Sequence, residues 1–362
     1  MSSRVTMADV AKESGVSLMT VSRVVNNKGD VSEETRRRVM EVIERLDFRP
    51  SGIARGLATR RTGTVGLVVP DVSNPFFSTV ARGVEREADA NDYSVFLCNS
   101  DEDPQQEIAH LKSLEENRVD GVIICSSRLH AEDLTSLLHR YAAAVLVNRR
   151  LDQHRVSTVI CDDGAGGQLA TQFLLESGHR AIGFVAGPRA SYSGRSRVQG
   201  YREAMASAGI TPENSWIRYC PPMVEEGREA SLVLLAEVPE LTALFCYNDL
   251  VAVGALQACA ALGYDVPDRI AIIGFDDIAL AALVDPPLTT CHVPRLEMGT
   301  RAFTLLLDQI NGCTGGCTEV LLQPRLVIRS SAPLPDGSSR STSLLQTTRP
   351  AYPTADSQRR LL

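Results

Sequence analysis

No apolar run in the 362-residue chain approaches the ~20 residues needed to cross a bilayer. Met1 to Arg4 lead straight into a capped helix, without the pattern of a secretory leader. A cytoplasmic protein is expected. The nine cysteines are an odd number, and Cys98, Cys125, Cys161 and Cys246 end or interrupt apolar strand-like runs, where a thiol behaves as a small hydrophobe. They are expected to be reduced. Cys313 and Cys317 lack the two-residue spacing of a zinc or redox pair and have no histidine close by, so no metal is expected. No Gly-x-Gly-x-x-Gly follows the opening strand, and there is no phosphate loop and no Gly-x-Ser-x-Gly elbow. Catalysis has no candidate residues, and no cofactor is implied.

The chain is long enough for two or three domains, and 44% hydrophobic residues suit a globular protein with ample core. A net charge of −7 argues against a nucleic-acid partner until its distribution is considered. Residues 1–62 carry 12 Lys/Arg against 8 Asp/Glu, a net +4, which leaves −11 for the rest. A basic head precedes an acidic body.

Within that head, Thr6 and Asp9 can cap a helix whose Val10 and Ala11 face inward, and Gly15 allows a tight turn. Ser17 opens a second short helix. Val21, Val24 and Val25 recur at helical spacing there, leaving Leu18, Met19, Ser22, Arg23 and Asn26 on other faces. Two such helices make a helix-turn-helix, or else a helical hairpin that packs something other than DNA. The residues Thr6-Met-Ala-Asp-Val-Ala-Lys-Glu-Ser-Gly-Val-Ser-Leu-Met-Thr-Val-Ser-Arg-Val-Val-Asn26 closely resemble the N-terminal pattern of the lactose-repressor/galactose-repressor (LacI/GalR) family, departing mildly at Ser14 and Val25. In that resemblance the second helix enters the major groove, and Leu18 and Met19 choose among operators. Both are apolar and suit thymine methyls, while Arg23 can reach guanine or phosphate. Thr6, Ser17, Ser22, Asn26, Ser32 and Thr35 complete the expected contacts of the head.

Ser32, Glu33 and Glu34 start a third helix whose Val39, Val42, Ile43 and Leu46 are spaced to cover the first two, with Arg36 to Arg38 outward. Residues 49–63 then hold Gly52 and Gly56, each costing about 1 kcal/mol in a helix interior. By propensity this is a linker. It resembles the family's hinge helix, which forms when paired with its dimer mate in the minor groove; Ser51, Ala54, Leu57 and Ala58 would touch DNA there, with Leu57 as the wedge between base pairs.

From Thr64 short apolar runs alternate with amphipathic stretches. Val65 to Val69, Val95 to Cys98, Val122 to Cys125 and Ala144 to Val147 predict buried parallel strands, as do Ile182 to Ala186, Ala243 to Cys246 and Ile270 to Ile273. Helices are expected over Phe76 to Ala90, Gln105 to Glu116, Ala131 to Tyr141, near 165–177, 195–208 and 249–262, and over Arg295 to Ile310. Two βα-repeating lobes result. The turn Asp71-Val-Ser-Asn-Pro-Phe-Phe77 suits a sugar, with Asp71 and Asn74 for hydroxyls and Phe76 or Phe77 for ring C–H groups. It also resembles the opening turn of periplasmic sugar-binding proteins and differs from purine-binding family members.

The resemblance further implies effector contacts at Arg149, Arg197, Asn248, Asp249 and Asp276, all at predicted carboxyl ends of strands, where open α/β sheets bind ligands. Pro286 to Thr290 matches the return crossing into the first lobe, and Val293 replaces a glutamine common in the family, next to His292. Ligand charge stays open, since two cleft arginines could meet hydroxyls or an anionic sugar.

The expected fold is an N-terminal all-α helix-turn-helix domain plus an α/β two-lobed, periplasmic-binding-protein-like core of parallel sheets flanked by helices. Its parts are the head at 1–49, hinge and linker at 50–62, and effector-binding and dimerisation domain at 63–330. Lobe 1 takes about 63–161 plus 292–322, and lobe 2 about 162–290 plus 323–330. A Ser-, Thr- and Pro-rich tail at 331–362 reads as disordered and lacks a leucine-heptad helix, so a homodimer is expected. The expected function is a sugar-responsive transcriptional repressor of a carbohydrate-use operon, partnered by pseudo-palindromic operator DNA. The alternatives are a sugar-binding receptor without a DNA role and, less favoured, a sugar-modifying enzyme.

Overall fold

The computed structural model describes residues 5–25, 29–48, 61–151, 156–313 and 316–334. Asn26, Ser51, Ala54, Leu57, Ala58 and nearly all of the expected hinge lie outside them, as does the chain beyond 334.

The head is three helices, α1 (Met7–Ser14), α2 (Leu18–Val25) and α3 (Glu33–Arg45). A reciprocal cap starts α1: the Asp9 backbone N–H donates to the Thr6 hydroxyl, while the Thr6 N–H donates to Asp9 Oδ2 at 2.8 Å. Gly15, at φ 66°, ends it in the left-handed conformation that a Cβ disfavours. Ser17 accepts from the Thr20 N–H at 3.1 Å and so caps α2, and Ser32 does the same for α3 through Thr35. Val10, Val21, Val24, Val39 and Val42 close a small core. Phe48, not anticipated from periodicity, joins it. Ser14, which departs from the family pattern, is buried with its hydroxyl donating to the Val10 carbonyl at 2.6 Å. Arg37 and Arg38 face solvent as expected, but Arg36 is half-buried.

The body has two six-stranded sheets. The first runs β11-β5-β4-β3-β1-β2 and the second β12-β10-β9-β8-β6-β7. In chain order the strands are β1 (Thr64–Val69), β2 (Ser94–Asn99), β3 (Gly121–Cys125), β4 (Ala144–Val147), β5 (Ser157–Cys161), β6 (Ile182–Ala186), β7 (Ile217–Tyr219), β8 (Ala243–Cys246), β9 (Ala271–Asp276), β10 (Thr289–His292), β11 (Glu319–Leu322) and β12 (Arg325–Val327). All pairings are parallel except β10 with β12. Crossover helices link them: α4 (Pro75–Ala90), α5 (Pro104–Glu116), α6 (Ala131–Leu138), α7 (Asp163–Glu176), α8 (Tyr192–Ser207), α9 (Val224–Glu237), α10 (Asp249–Leu262) and α11 (Arg295–Ile310). No helix among the described residues is long and apolar enough to span a membrane.

Several expectations need correction. The run Val95 to Cys98 is not buried: β2 is an edge strand, with Phe96 45% and Leu97 41% exposed. Pro286 to Thr290 does not cross between lobes. It leads into β10, which pairs with β9 in the second sheet, and the chain crosses only after His292, where α11 packs on α4 and beneath β3, β4 and β5. The second lobe continues past 330, since the buried Ser331 hydroxyl donates to the Ile272 carbonyl at 2.6 Å and Ala332 is also buried. Helix α6 stops at Leu138, three residues short of Tyr141, whose hydroxyl turns back to the Leu111 carbonyl.

Candidate functional site

In the head, Leu18 and Met19 open α2 at 54% and 66% exposure, large apolar side chains left in water while Val21 and Val24 fill the core behind them. Arg23 is also exposed, and Ser22 half-buried. Thr6, Ser17 and Ser32 are exposed with their hydroxyls already engaged in caps; Thr35 is half-buried and accepts from Ser32. Exposed apolar groups at a helix N-terminus, rimmed by hydroxyls and an arginine, suit methyl-bearing base edges and phosphates.

In the body, the carboxyl ends of both sheets converge on one cleft. Asn74, Phe76, Phe77, Glu102, Ser126, Arg128 and Asn148 line it from the first lobe. Ser193, Arg197, Pro222, Tyr247, Asn248 and Asp276 line it from the second. Asn74 caps α4 through the Phe76 N–H at 2.9 Å, and that places the two phenyl rings edge to face, 5.1 Å apart. Asn248 caps α10 likewise through Val251 and donates to the Pro222 carbonyl.

Arg197 is the centre of the second lobe's wall. Its Nε donates to Asp163 Oδ1 at 2.8 Å, its Nη1 to the Tyr247 carbonyl, and Asp276 lies 3.8 Å from Nη2. The guanidinium stacks 3.7 Å from the Phe275 ring. Helices α7 and α8 must pack backbone to backbone for this pairing: a Cβ on Gly200 would fall 2.1 Å from the Gly164 carbonyl oxygen, and one on Gly167 2.5 Å from that of Arg197. Burial pushes the Asp276 carboxyl up to about 7, against the pull of Arg197 and Arg295. Asp249 rises to about 8 through burial and the neighbouring Asp276.

Three expected contacts are turned elsewhere. Arg149 is buried behind the cleft wall, donating to the Leu129 carbonyl at 3.0 Å, because Asn148 before it adopts φ 51° and takes the cleft-facing place. Asp249 is fully buried under β9 and β10, accepting from Thr290 Oγ1 at 2.6 Å and the Ile278 N–H at 2.8 Å. Asp71 is half-buried and its carboxylate folds onto Ser73. His292, beside the cleft, pairs with Asp277.

The reading from sequence missed Arg128, Glu102, Ser126, Asn148, Ser193, Pro222 and Tyr247. Arg128 forms a two-pronged pair with Glu102, Nη2 to Oε1 at 3.0 Å, and Nη1 donates to the Ser126 carbonyl. Tyr247 meets Ser191 hydroxyl to hydroxyl at 3.1 Å and also interacts with Arg128 across the cleft. Glu102, Ser126, Asn148 and Asp276 all have positive φ, at 58°, 48°, 51° and 106°. Such strained backbone, at or just beyond the ends of β2, β3, β4 and β9, aims side chains where a regular turn would not.

The walls leave only about 20 Å³ between them, room for about one water. Small-molecule pockets run to roughly 300–1,000 Å³, so a ligand enters only when the lobes part. A wider open groove of about 530 Å³, at the amino ends of β4 and β5, is lined by Leu138, Tyr141, Val156 and Cys313 among others, with no carboxylate, lysine or arginine. No cluster of three metal-ligating side chains occurs among the described residues. All nine cysteines are free; burial pushes the Cys125 thiol up to about 12.

Comparison with known proteins bears on both halves. Residues 6–51 match the model of bacterial regulatory proteins of the lacI family, and residues 62–330 that of periplasmic binding proteins and the sugar-binding domain of the LacI family. The chain is 35% identical over 337 residues to the HTH-type transcriptional regulator DegA of Bacillus subtilis, spanning 91% of this chain and 99% of DegA. It is 36% identical over 330 residues to the HTH-type transcriptional repressor PurR of Haemophilus influenzae, spanning 90% of this chain and 98% of PurR. Among solved structures, the regulator CelR in complex with cellobiose aligns at TM-score 0.70 and 33% identity, covering 91% of this chain and all of CelR. The lac repressor dimer bound to operator and the anti-inducer ONPF aligns at 0.83 and 27%, covering 91% of this chain and 99% of the repressor chain. A three-helix head with an exposed second helix ahead of a two-lobed cleft, matched along nearly the whole length of transcriptional regulators, makes this chain a member of the LacI family of DNA-binding transcriptional regulators.

Proposed function

We propose that this regulator is a homodimeric, cytoplasmic repressor of a carbohydrate-use operon, released from or held on a pseudo-palindromic operator by a sugar-like effector bound between its lobes. The observation that carries the reading is the cleft: two phenyl rings, two serines, three asparagine amides and two fixed arginines converge from both sheets on one cleft. Flat apolar faces with a few oriented polar groups suit a sugar ring. Cellobiose, the ligand of the CelR complex, is of that chemistry. The dimer accounts for the edge of the first sheet, where Val72, Phe96 and Leu97 stay exposed on or beside β2. Eight of the DNA contacts expected from the sequence, Thr6, Ser17, Leu18, Met19, Ser22, Arg23, Ser32 and Thr35, lie on described parts of the head, and none of them is buried.

Because the closed cleft has no room for a sugar, binding selects among lobe arrangements, and a coupling of about 1–3 kcal/mol between cleft and operator gives useful switching. The test is a titration of operator affinity against mono- and disaccharides. A sugar that binds the cleft and shifts operator affinity supports the reading; one that binds and leaves operator affinity unchanged refutes it.

A further inference from the structure

We propose that the cleft accepts an uncharged, polyhydroxylated effector and rejects its phosphorylated and carboxylated relatives, with the Arg128–Glu102 pair and Ser193 as the residues that set this preference. The proposal rests on the sugar reading above and narrows it by charge.

The cleft's two arginines resemble an anion site only until their partners are counted. Arg128 is clasped by Glu102 through Nε and Nη2. Arg197 is bound to Asp163 and faces Asp276. At the lining, Arg128 and Arg197 thus stand against Glu102 and Asp276, with Asp163 behind Arg197; Arg295, which also pulls on Asp276, lies outside the lining, and no other lysine or arginine lines the cleft among the described residues. Each lining cation therefore already has a carboxylate of its own within ion-pair distance, and the set has no unpaired positive charge to offer. An incoming phosphate would lose its hydration without gaining a counter-charge.

Helix N-termini could also hold an anion, and three open onto this cleft. Each is already capped by its own chain: Asn74 takes the Phe76 N–H, Ser191 the Gly194 N–H and Asn248 the Val251 N–H. What remains is neutral hydrogen-bonding capacity. Ser193 Oγ is 4% exposed as a residue, lines the cleft and has no hydrogen-bond partner. An orphaned buried hydroxyl is costly unless a ligand completes it. Arg128 has donors beyond those given to Glu102 and Ser126, and the Tyr247 side chain interacts with it across the closed cleft, a place a sugar hydroxyl can take.

The experiment is calorimetric titration of the full-length protein with matched probes: glucose, ribose and cellobiose against glucose 6-phosphate, ribose 5-phosphate and gluconate. At least one free sugar binds, and its charged relative binds at least about tenfold more weakly. Ser193→Ala weakens the free sugar about five- to tenfold. Glu102→Gln, which leaves Arg128 uncompensated, narrows the gap between charged and free sugar by about tenfold. As a measurement independent of variants, free-sugar affinity of the unaltered protein changes by less than about twofold between 50 and 200 mM salt. A charged probe that binds as tightly as its free sugar, or a gap that Glu102→Gln leaves unchanged, overturns the inference while leaving an effector-controlled repressor intact. Binding of no probe of either kind overturns the sugar reading itself, and this inference with it.

Discussion

Leu18 and Met19 in the head are more than half exposed, whereas Arg197 and Ser193 in the cleft are 3% and 4% exposed. The head keeps these proposed readers outside a core made by other residues, so they contribute little to its folding. In the cleft, the lining groups are also structural: Arg197 joins two helices and a strand end, and Asn74 and Asn248 cap the helices they sit on. Specificity can therefore be changed in the head at small cost in stability, while almost any change in the cleft alters stability and binding together.

The widest separation between the two regions is expected with salt. If a dimer makes about 6–10 phosphate contacts, operator affinity falls roughly 10³–10⁵-fold between 50 and 200 mM salt; effector affinity at a charge-compensated cleft stays nearly flat. Parallel loss of both in titrations at several salt concentrations would break the comparison. Next in size, Arg197→Met strands Asp163 and Asp276 without their cation and costs about 3–5 kcal/mol of body stability. Arg23→Ala, by contrast, stays within about 0.5 kcal/mol. Urea unfolding followed by circular dichroism distinguishes them.

Smaller still, Leu18→Ala or Met19→Ala shifts the preference among operator variants by about 1–3 kcal/mol in competition binding, with unfolding midpoints unchanged. Thr6→Ala removes the α1 cap and destabilises the head by about 1 kcal/mol, read as lost helical signal on mild heating.

The last contrast is one of sign with pH. Asp276 and Asp249 have folded-state pKa values raised by burial to about 7 and 8, so their stabilising effect is full in acid and is lost as pH climbs from about 4 to about 8. In the same body Asp277 works the other way. Burial raises it, but hydrogen bonds from His292 and Arg329 hold it below the usual range, so its contribution disappears on acidification. In the head, Asp9 is lowered by hydrogen bonds from Thr6, and α1 weakens as pH falls. Asp249→Asn should flatten the decline of the body's melting temperature between pH 5 and 8; an unchanged slope would remove Asp249 from the explanation.

How far each region could be read from sequence follows the same division. Caps, the Gly15 turn and the valine spacing of the head are local signals within about 20 residues, and the structure agrees with them closely. Strands β1 to β4, β6, β8 and β9 were legible as apolar runs while β5, β7 and β10 were not, and whether a run is central or at an edge is decided by distant pairing, so β2 was misjudged. Helix α9 escaped notice because its buried face is Gly227, Ala230, Ser231, Leu234 and Leu235, half of it too small or polar to register as an apolar stripe. The strand-end rule pointed to the end of the sheets where the cleft lies but could not choose between Arg149 and Arg128 as the arginine that lines it. Both follow strands; the left-handed turn at Asn148 makes the choice, and nothing in the residue type announces it. Asp249 and Asp276 divide in the same way, one buried against Ile278 and Thr290 and one lining the cleft. Tyr247 fits only because Gly187 leaves room, since a Cβ there would fall 2.6 Å from the ring.

One feature of the sheets governs how the protein can be made. Each is completed by a strand from the far end of the chain: β11 joins β5 in the first, and β12 joins β10 in the second, with only Gln323 and Pro324 between them. A ribosome must deliver nearly 330 residues before either lobe has its full complement of strands. A premature stop before Glu319 therefore leaves both lobes with an uncovered flank at once, and neither half of the sensor can be inherited, trimmed or transplanted as a contiguous piece.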